Sequence, residues 1–209
     1  MQAVITADIV NSTQLNPKIF TKLVEDIKEQ YLKFGQIEFY RGDSFQALVK
    51  DATMALKIVV LSRLKAISYS EKTLIDIRQS ISLGKVEGNI NKLGSHIDDT
   101  FVNSGRTFDK LYDLTSDTFL LINSGNADYD FTFDIISRYT DNLISQMTAK
   151  QALAIYHLLS GKSQKEAAKV INITGATINQ QIKAARYEEL VDLIKKYETL
   201  TEKLTHYGK

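Results

Sequence analysis

The runs of this sequence that read as strands lie before residue 124, and the chain from about residue 127 onward reads as helix. That asymmetry limits the fold more than any single motif. AVITADIV (3–10) reads as a buried strand. Asn16 then offers an N-cap and Pro17 the first helical position. Phe20, Leu23, Val24, Ile27, Tyr31 and Phe34 follow on one helical face, closed by Gly35. QIEFYR and SFQALV flank Gly42-Asp43, the pattern of a two-residue hairpin in which Tyr40 faces Phe45. Asp51 caps a helix over 52–68 that turns Ala55, Leu56, Val59, Val60, Leu64 and Ile67 inward. A strand over 74–86, the Gly- and Asn-rich loop EGNINKLGSH, a helix over roughly 99–113 and the strand TFLLIN (118–123) complete the series. The expectation is an α+β chain. Residues 1–125 form a ferredoxin-like, antiparallel or mixed sheet with helices on one face, and residues 126–209 an all-α domain.

Composition narrows the function classes. Hydrophobic residues make up 44% and charged residues 24% of the 209, which supplies a core and excludes a disordered chain. A formal net charge of +1 gives no global field, so any nucleic-acid contact rests on a local patch. The absence of cysteine removes disulfides, cysteine-ligated zinc and thiol catalysis. The N-terminus lacks a basic leader, Asp8 breaks its apolar run, and ALKIVVL is too short to span a bilayer. These features lead to the expectation of a cytoplasmic protein without membrane contact. The three histidines, His96, His157 and His206, lie too far apart in sequence to form a metal pattern.

The most specific motif begins at Lys162. In KSQKEAAKVINITGATINQQIKAARYEEL, Ser163 and Glu166 form a capping-box pair, Ala167 and Ala168 allow close helix approach, and Thr174 caps a second helix after Asn172. Ile171, Ile173, Ile178 and Ile182 supply the contacts between the helices. Residues 148 to 190 thus resemble helix-turn-helix regulators and the sigma-factor type of DNA-reading domain. In such units the second helix enters the major groove by its N-terminal end. Gly175, Ala176, Thr177, Asn179, Gln180 and Lys183 are then the groove-facing candidates, with Arg186, Lys162, Lys165 and Lys169 for phosphate. A three-helix bundle with a solvated, lysine-rich face is the alternative. The tail stripe Leu190, Leu193, Ile194, Tyr197, Leu200 and Leu204 either joins two chains as a homodimer or packs back on its own domain.

Asp8 ends the first strand and Asp43 tips the hairpin. If the hairpin pairs beside that strand, the two carboxylates approach at one edge of the sheet and repel unless a proton or cation lies between them. Mg2+ or Mn2+ takes such oxygen ligands, with phosphates completing the shell. The plain alternative is a strand-end residue and an ordinary turn residue.

ADIVNST (7–13), RGDSFQ (41–46), IRQSISLGKV (77–86) and FVNSGRTFD (101–109) resemble, in order, the signature blocks of class III nucleotidyl cyclases. With this length, the chain is most similar to the bacterial SatD family, whose members share the cyclase-like layout, over residues 1 to 123. The resemblance implies metal ligation by Asp8 and Asp43 with the Ile9 backbone carbonyl assisting. It also implies phosphate near the backbone of Val10, Asn11, Ser12 and Thr13, and Arg106 and Asn103 as catalytic groups. The sequence departs from that pattern in places: Phe39 replaces a base-reading lysine and His96 a base-reading aspartate. Aligning Asn103 puts Thr107 on the arginine position, and one residue is about 100° of helix rotation. Asn103 and Arg106 therefore do not share one phosphate in the family's manner.

Joined, the halves are expected to form a DNA-binding regulatory protein whose cyclase-like half senses a nucleotide or phosphorylated small molecule and orders the loop around 87–98. The helix-turn-helix itself needs no cofactor. The alternatives are a metal-dependent nucleotidyl cyclase or related phosphoryl-transfer enzyme, and a dimeric adaptor that binds neither DNA nor metal.

Overall fold

The computed structural model describes residues 1–40, 42–88, 90, 92–114 and 117–207. Arg41 of the hairpin and Asn89 and Asn91 of the loop lie outside that set. The fold is α+β. Its first half runs β1 (Gln2–Val10), α1 (Pro17–Leu32), β2 (Gly35–Tyr40), β3 (Ser44–Val49), α2 (Ala55–Ile67), β4 (Asp76–Gly84), α3 (Asp99–Asp113) and β5 (Leu120–Asn123). Five helices follow: α4 (Ala127–Ser145), α5 (Ala149–Leu159), α6 (Gln164–Val170), α7 (Gly175–Ala184) and α8 (Tyr187–Tyr207).

The sheet is ordered β2-β3-β1-β4-β5, antiparallel throughout except for the parallel pair β4–β5. Its centre, β1, is covered on both sides, and residue parity decides which neighbour each side chain meets. Ala3, Ile5, Ala7 and Ile9 join the main core under α1 and α2, where Tyr31 donates to Gln79 at 2.7 Å. Val4 faces the other way into a small cluster with Leu48, Leu93 and Phe101. On that second face Ser104 of α3 lies 2.8 Å from the Thr6 hydroxyl, and its carbonyl accepts from Ser80 at 2.8 Å. Helices thus cover both faces, not one as expected: α3 is amphipathic and has its own polar seam on the sheet.

Two local expectations also change. The helix after Pro17 ends at Leu32, and Gly35 instead opens β2, where an added Cβ would sit 1.8 Å from the Leu48 carbonyl oxygen. The hairpin register differs by one: Tyr40 pairs with Ser44 and Phe39 with Phe45. Gly42 at φ 94° supplies a left-handed residue at the hairpin tip. The Phe39 and Phe45 rings lie 4.9 Å apart, and this contact locks the shifted register.

The apolar core does not stop at residue 125. Buried side chains of α4, α5, α7 and α8 belong to the same cluster as those of the sheet. A buried ion triad reinforces the seam. Arg63 on α2 donates to both oxygens of Asp76 at 3.0 and 2.8 Å and to Asp141 of α4 at 2.5 Å. Asp141 in turn accepts the Phe119 and Leu120 amides that lead into β5. The α8 stripe completes the seam: Leu190, Leu193, Ile194, Tyr197 and Leu204 are buried, and the Tyr197 hydroxyl donates to the Ala52 carbonyl at 3.1 Å. Of the two roles open to that stripe, packing back on its own chain is the one adopted. No described helix is long and apolar enough to cross a membrane.

Arg63→Leu should leave two carboxylates buried without their cation, costing about 3–5 kcal/mol and lowering Tm by roughly 6–20 °C. Tyr197→Phe should cost only about 1 kcal/mol. Urea and thermal unfolding of the two variants test the order.

Candidate functional site

Pairing sets the acidic edge. Across β1, Asp8 stands opposite Ser44 of β3 on one side and Arg78 of β4 on the other. The amide of Ile9 donates to the Asp43 carbonyl at 3.2 Å, so the hairpin tip closes onto the end of β1. Each carboxylate is oriented by a serine: Ser44 donates to Asp8 at 2.8 Å and Ser12 to Asp43 at 2.6 Å. Among the described residues, the second oxygen of each accepts no hydrogen bond, and neither acid has a cation within ion-pair distance.

Electrostatics agree with the geometry. Burial raises the Asp8 carboxyl above its usual range and the neighbouring Asp43 raises it further, against lowering by the Ser44 hydrogen bond and Arg78. No group of three or more His, Cys, Asp or Glu side chains suited to a metal occurs among the described residues. Two partly free carboxylates nevertheless fit a hard cation of the Mg2+ kind, which binds through one or two carboxylates and leaves room for phosphate and water. They do not fit zinc, which takes four nitrogen or sulfur-rich ligands in its structural sites.

Two neighbours could not be found from the sequence. Arg78 sits 5.7 Å from the ring centres of both Tyr112 and Phe119, and its Nε is buried without a hydrogen-bond partner among the described residues. Tyr112 lies close enough to feel both acids: burial raises its hydroxyl pKa most, followed by Asp8, with Asp43 adding to it. The missing signal was parity. Once β4 pairs antiparallel to β1, Arg78 shares the face of Asp8.

The remaining cyclase-derived positions distribute differently. Val10 ends β1, while Asn11 at φ 59° starts the turn over Ser12, Thr13 and Gln14. The Asn11 amide donates to the Leu74 carbonyl at 2.8 Å, so Asn11 and Ser12 brace the loop with their side chains. On α3, Thr100, Phe101, Ser104, Thr107, Phe108 and Leu111 face the protein. Asn103 is half-buried and Arg106 is exposed, with Thr107 buried beside it. Arg106 therefore points away from the sheet that carries Asp8. His96 is held 2.8 Å from Asp98 and against the Phe101 ring at 4.8 Å.

The second candidate surface lies on α6 and α7. Ser163 and Glu166 form the reciprocal cap expected of them, and Thr174 accepts from the Thr177 amide at 3.1 Å. Asn172 turns the chain between the helices at φ 56°. Burial of Ala167, Ala168, Ile178 and Ile182 fixes which way both helices face. Gly175, Ala176, Asn179, Gln180 and Lys183 are consequently exposed, as are Lys165 and Lys169, while Thr177 and Lys162 are half-buried. Arg186, the candidate phosphate contact, is held by an acidic neighbour. It sits at φ 52° beyond α7 and makes two hydrogen bonds to Glu189 and one to the Tyr139 hydroxyl.

Compared with protein-family models, with curated proteins and with solved structures, the chain has no match in any of the three.

Because the Asp8 carboxyl is raised in the folded protein, its stabilising contribution is complete below its unfolded pKa and fades as pH rises through the folded value. Asp8→Asn should therefore raise unfolding stability at neutral pH, by less than about 1 kcal/mol because Asp8 is only half-buried, and the gain should vanish toward pH 4. Mn2+ at a hundredfold excess over its Kd should stabilise the wild type by about 2.7 kcal/mol and leave Asp8→Asn unmoved. Thermal melts across pH, with and without Mn2+, check both statements.

Proposed function

We propose that this chain is a DNA-binding regulatory protein in which α6, the turn at Asn172 and α7 act as a helix-turn-helix. The observation that carries the reading is the exposed, polar leading half of α7, presented by two capped helices whose small and apolar faces are buried together. Asn179 and Gln180 are of the type that pairs bidentately with adenine, and Lys165, Lys169 and Lys183 meet phosphate. With Arg186 engaged by Glu189, the cationic contribution of one copy is small.

We read the sheet half as ferredoxin-like, on the order β4-β1-β3-β2 with α1 and α2 as crossovers, α3 and β5 being an addition. The SatD- and cyclase-like resemblance is kept as part of this reading. Asp8 and Asp43 would hold Mg2+ or Mn2+, and the bound ion would supply positive charge to a nucleotide or other phosphorylated small molecule. Arg78 offers a guanidinium that has no carboxylate partner among the described residues, beside the same acids and suited to an anionic group. The outward position of Arg106 and the half-buried Asn103 support sensing over turnover. α5, packed between α2 and α7, offers the route by which ligand would influence the DNA-facing helix.

Mobility shifts with DNA from the promoter beside the chain's own gene test the proposal. Retardation should appear at low salt and weaken as salt rises. Gln180→Ala should cost about 1–3 kcal/mol on the preferred sequence and relax specificity there, whereas Lys165→Ala should weaken all sequences and reduce the salt slope by about 1. Absence of retardation at low salt, with and without nucleotide and Mg2+, overturns the reading. Release of cyclic nucleotide or pyrophosphate from a nucleoside triphosphate with Mn2+, abolished by Asp43→Ala, would replace it with the enzymatic alternative.

A further inference from the structure

Most of the α8 stripe is buried within the chain, but Leu200 is only half-buried and, with Leu193, lines an open groove beside a row of exposed apolar residues. On α4, Phe131, Ile135 and Tyr139 recur every four residues and are 74%, 50% and 36% exposed. Beside this row, between α4 and α8, runs a groove of about 510 Å³ with Ile136, Leu193 and Leu200 in its lining and Lys196 and Lys203 among its charged residues. Surface aromatics in a row next to an apolar groove mark an interaction site on a water-soluble surface.

Charge along the two helices selects the occupant. α4 and α8 run antiparallel, with Tyr139 hydrogen-bonded to Glu189 and the Phe133 ring 5.6 Å from Tyr197. That register puts Asp128, near the start of α4, level with Lys203, near the end of α8. It likewise puts Arg138 level with Glu188 and Asp192. Asp128 and Asp134 on α4 thus stand level with Lys203 and Lys196 on α8, although Glu198 and Glu202 interrupt the basic end of α8, and Arg138 pairs with Asp134 and Asp192 with Lys196 within their own helices. We propose that a second copy of this chain docks on the α4/α8 face, related by a two-fold axis parallel to the helix pair. Its α4 then lies over this α8 at the same level: Phe131 enters the groove, Asp128 meets Lys203, and the Asp134–Arg138 and Asp192–Lys196 pairs exchange partners across the interface. The reciprocal contacts form by symmetry. Phe131 is the central anchor and the charges at either end set the register. The inference stands independently of whether α7 reads DNA.

Light scattering coupled to size-exclusion chromatography of the full chain, across micromolar concentrations, reads the outcome. The wild type should run at twice its chain mass. Phe131→Glu, at a largely exposed position, should keep its circular dichroism and Tm while the dimer Kd rises by about tenfold or more. Asp128→Lys should weaken the dimer, and Lys203→Asp added to it should restore association. A wild type that stays monomeric throughout overturns the proposal. So does a dimer whose Kd ignores both Phe131→Glu and the charge reversal.

Discussion

The Arg63 guanidinium, buried from water and shared by two carboxylates, is the interaction on which the remaining geometry depends. Burial opposes its charge, but Asp76 and Asp141 together push its pKa up, so it remains a cation in the interior. The planar fork fits Asp76 bidentately and leaves a third donor for Asp141. Asp76 opens β4, and Asp141 receives the amides that enter β5. One side chain on α2 therefore sets the position of two strands and of the first helix beyond the sheet. Apolar packing alone would tolerate several placements of α4, whereas three directional hydrogen bonds define one.

The acidic edge depends on that placement at one remove. β4 is held in register beside β1, and this register brings Arg78 level with Asp8. The hairpin register sets Ser44 next to Asp8 and carries Asp43 to the amide of Ile9. Serine hydroxyls hold one oxygen of each acid and so limit its rotation without neutralising it. The closeness of the two acids adds to the effect of burial in raising the Asp8 carboxyl above its usual range.

Much of this was legible in the residues because it is local. The Asn16-Pro17 start of α1, the Ser163–Glu166 reciprocal cap and the Thr174 cap all depend on contacts within three residues, and all occur as expected. The order of strands and helices followed from hydrophobic period. The features that escaped depend on pairing between distant segments. The hairpin register differs by one residue, a choice that the aromatic contact of Phe39 with Phe45 selects. Covering of the second sheet face by α3 required hydroxyls at Thr6, Ser80 and Ser104 to meet across the fold. Arg63 finds its second acid 78 positions away, beyond the reach of any local pattern. Arg78 lies in the run IRQSISLGKV, but its place beside Asp8 appears only once the strand next to it is known.

The short passage from β5 to α4 has a mechanical consequence. Ser124 is tied to Asp130 through both its amide and its hydroxyl, at 2.9 and 2.5 Å, leaving little slack in the backbone there. With α8 anchored on Ala52 as well, the sheet and the terminal helices lack the freedom to swing like lobes on a tether. Any relative movement of the two is confined to small sliding displacements along closely packed flanks, as in a shear joint.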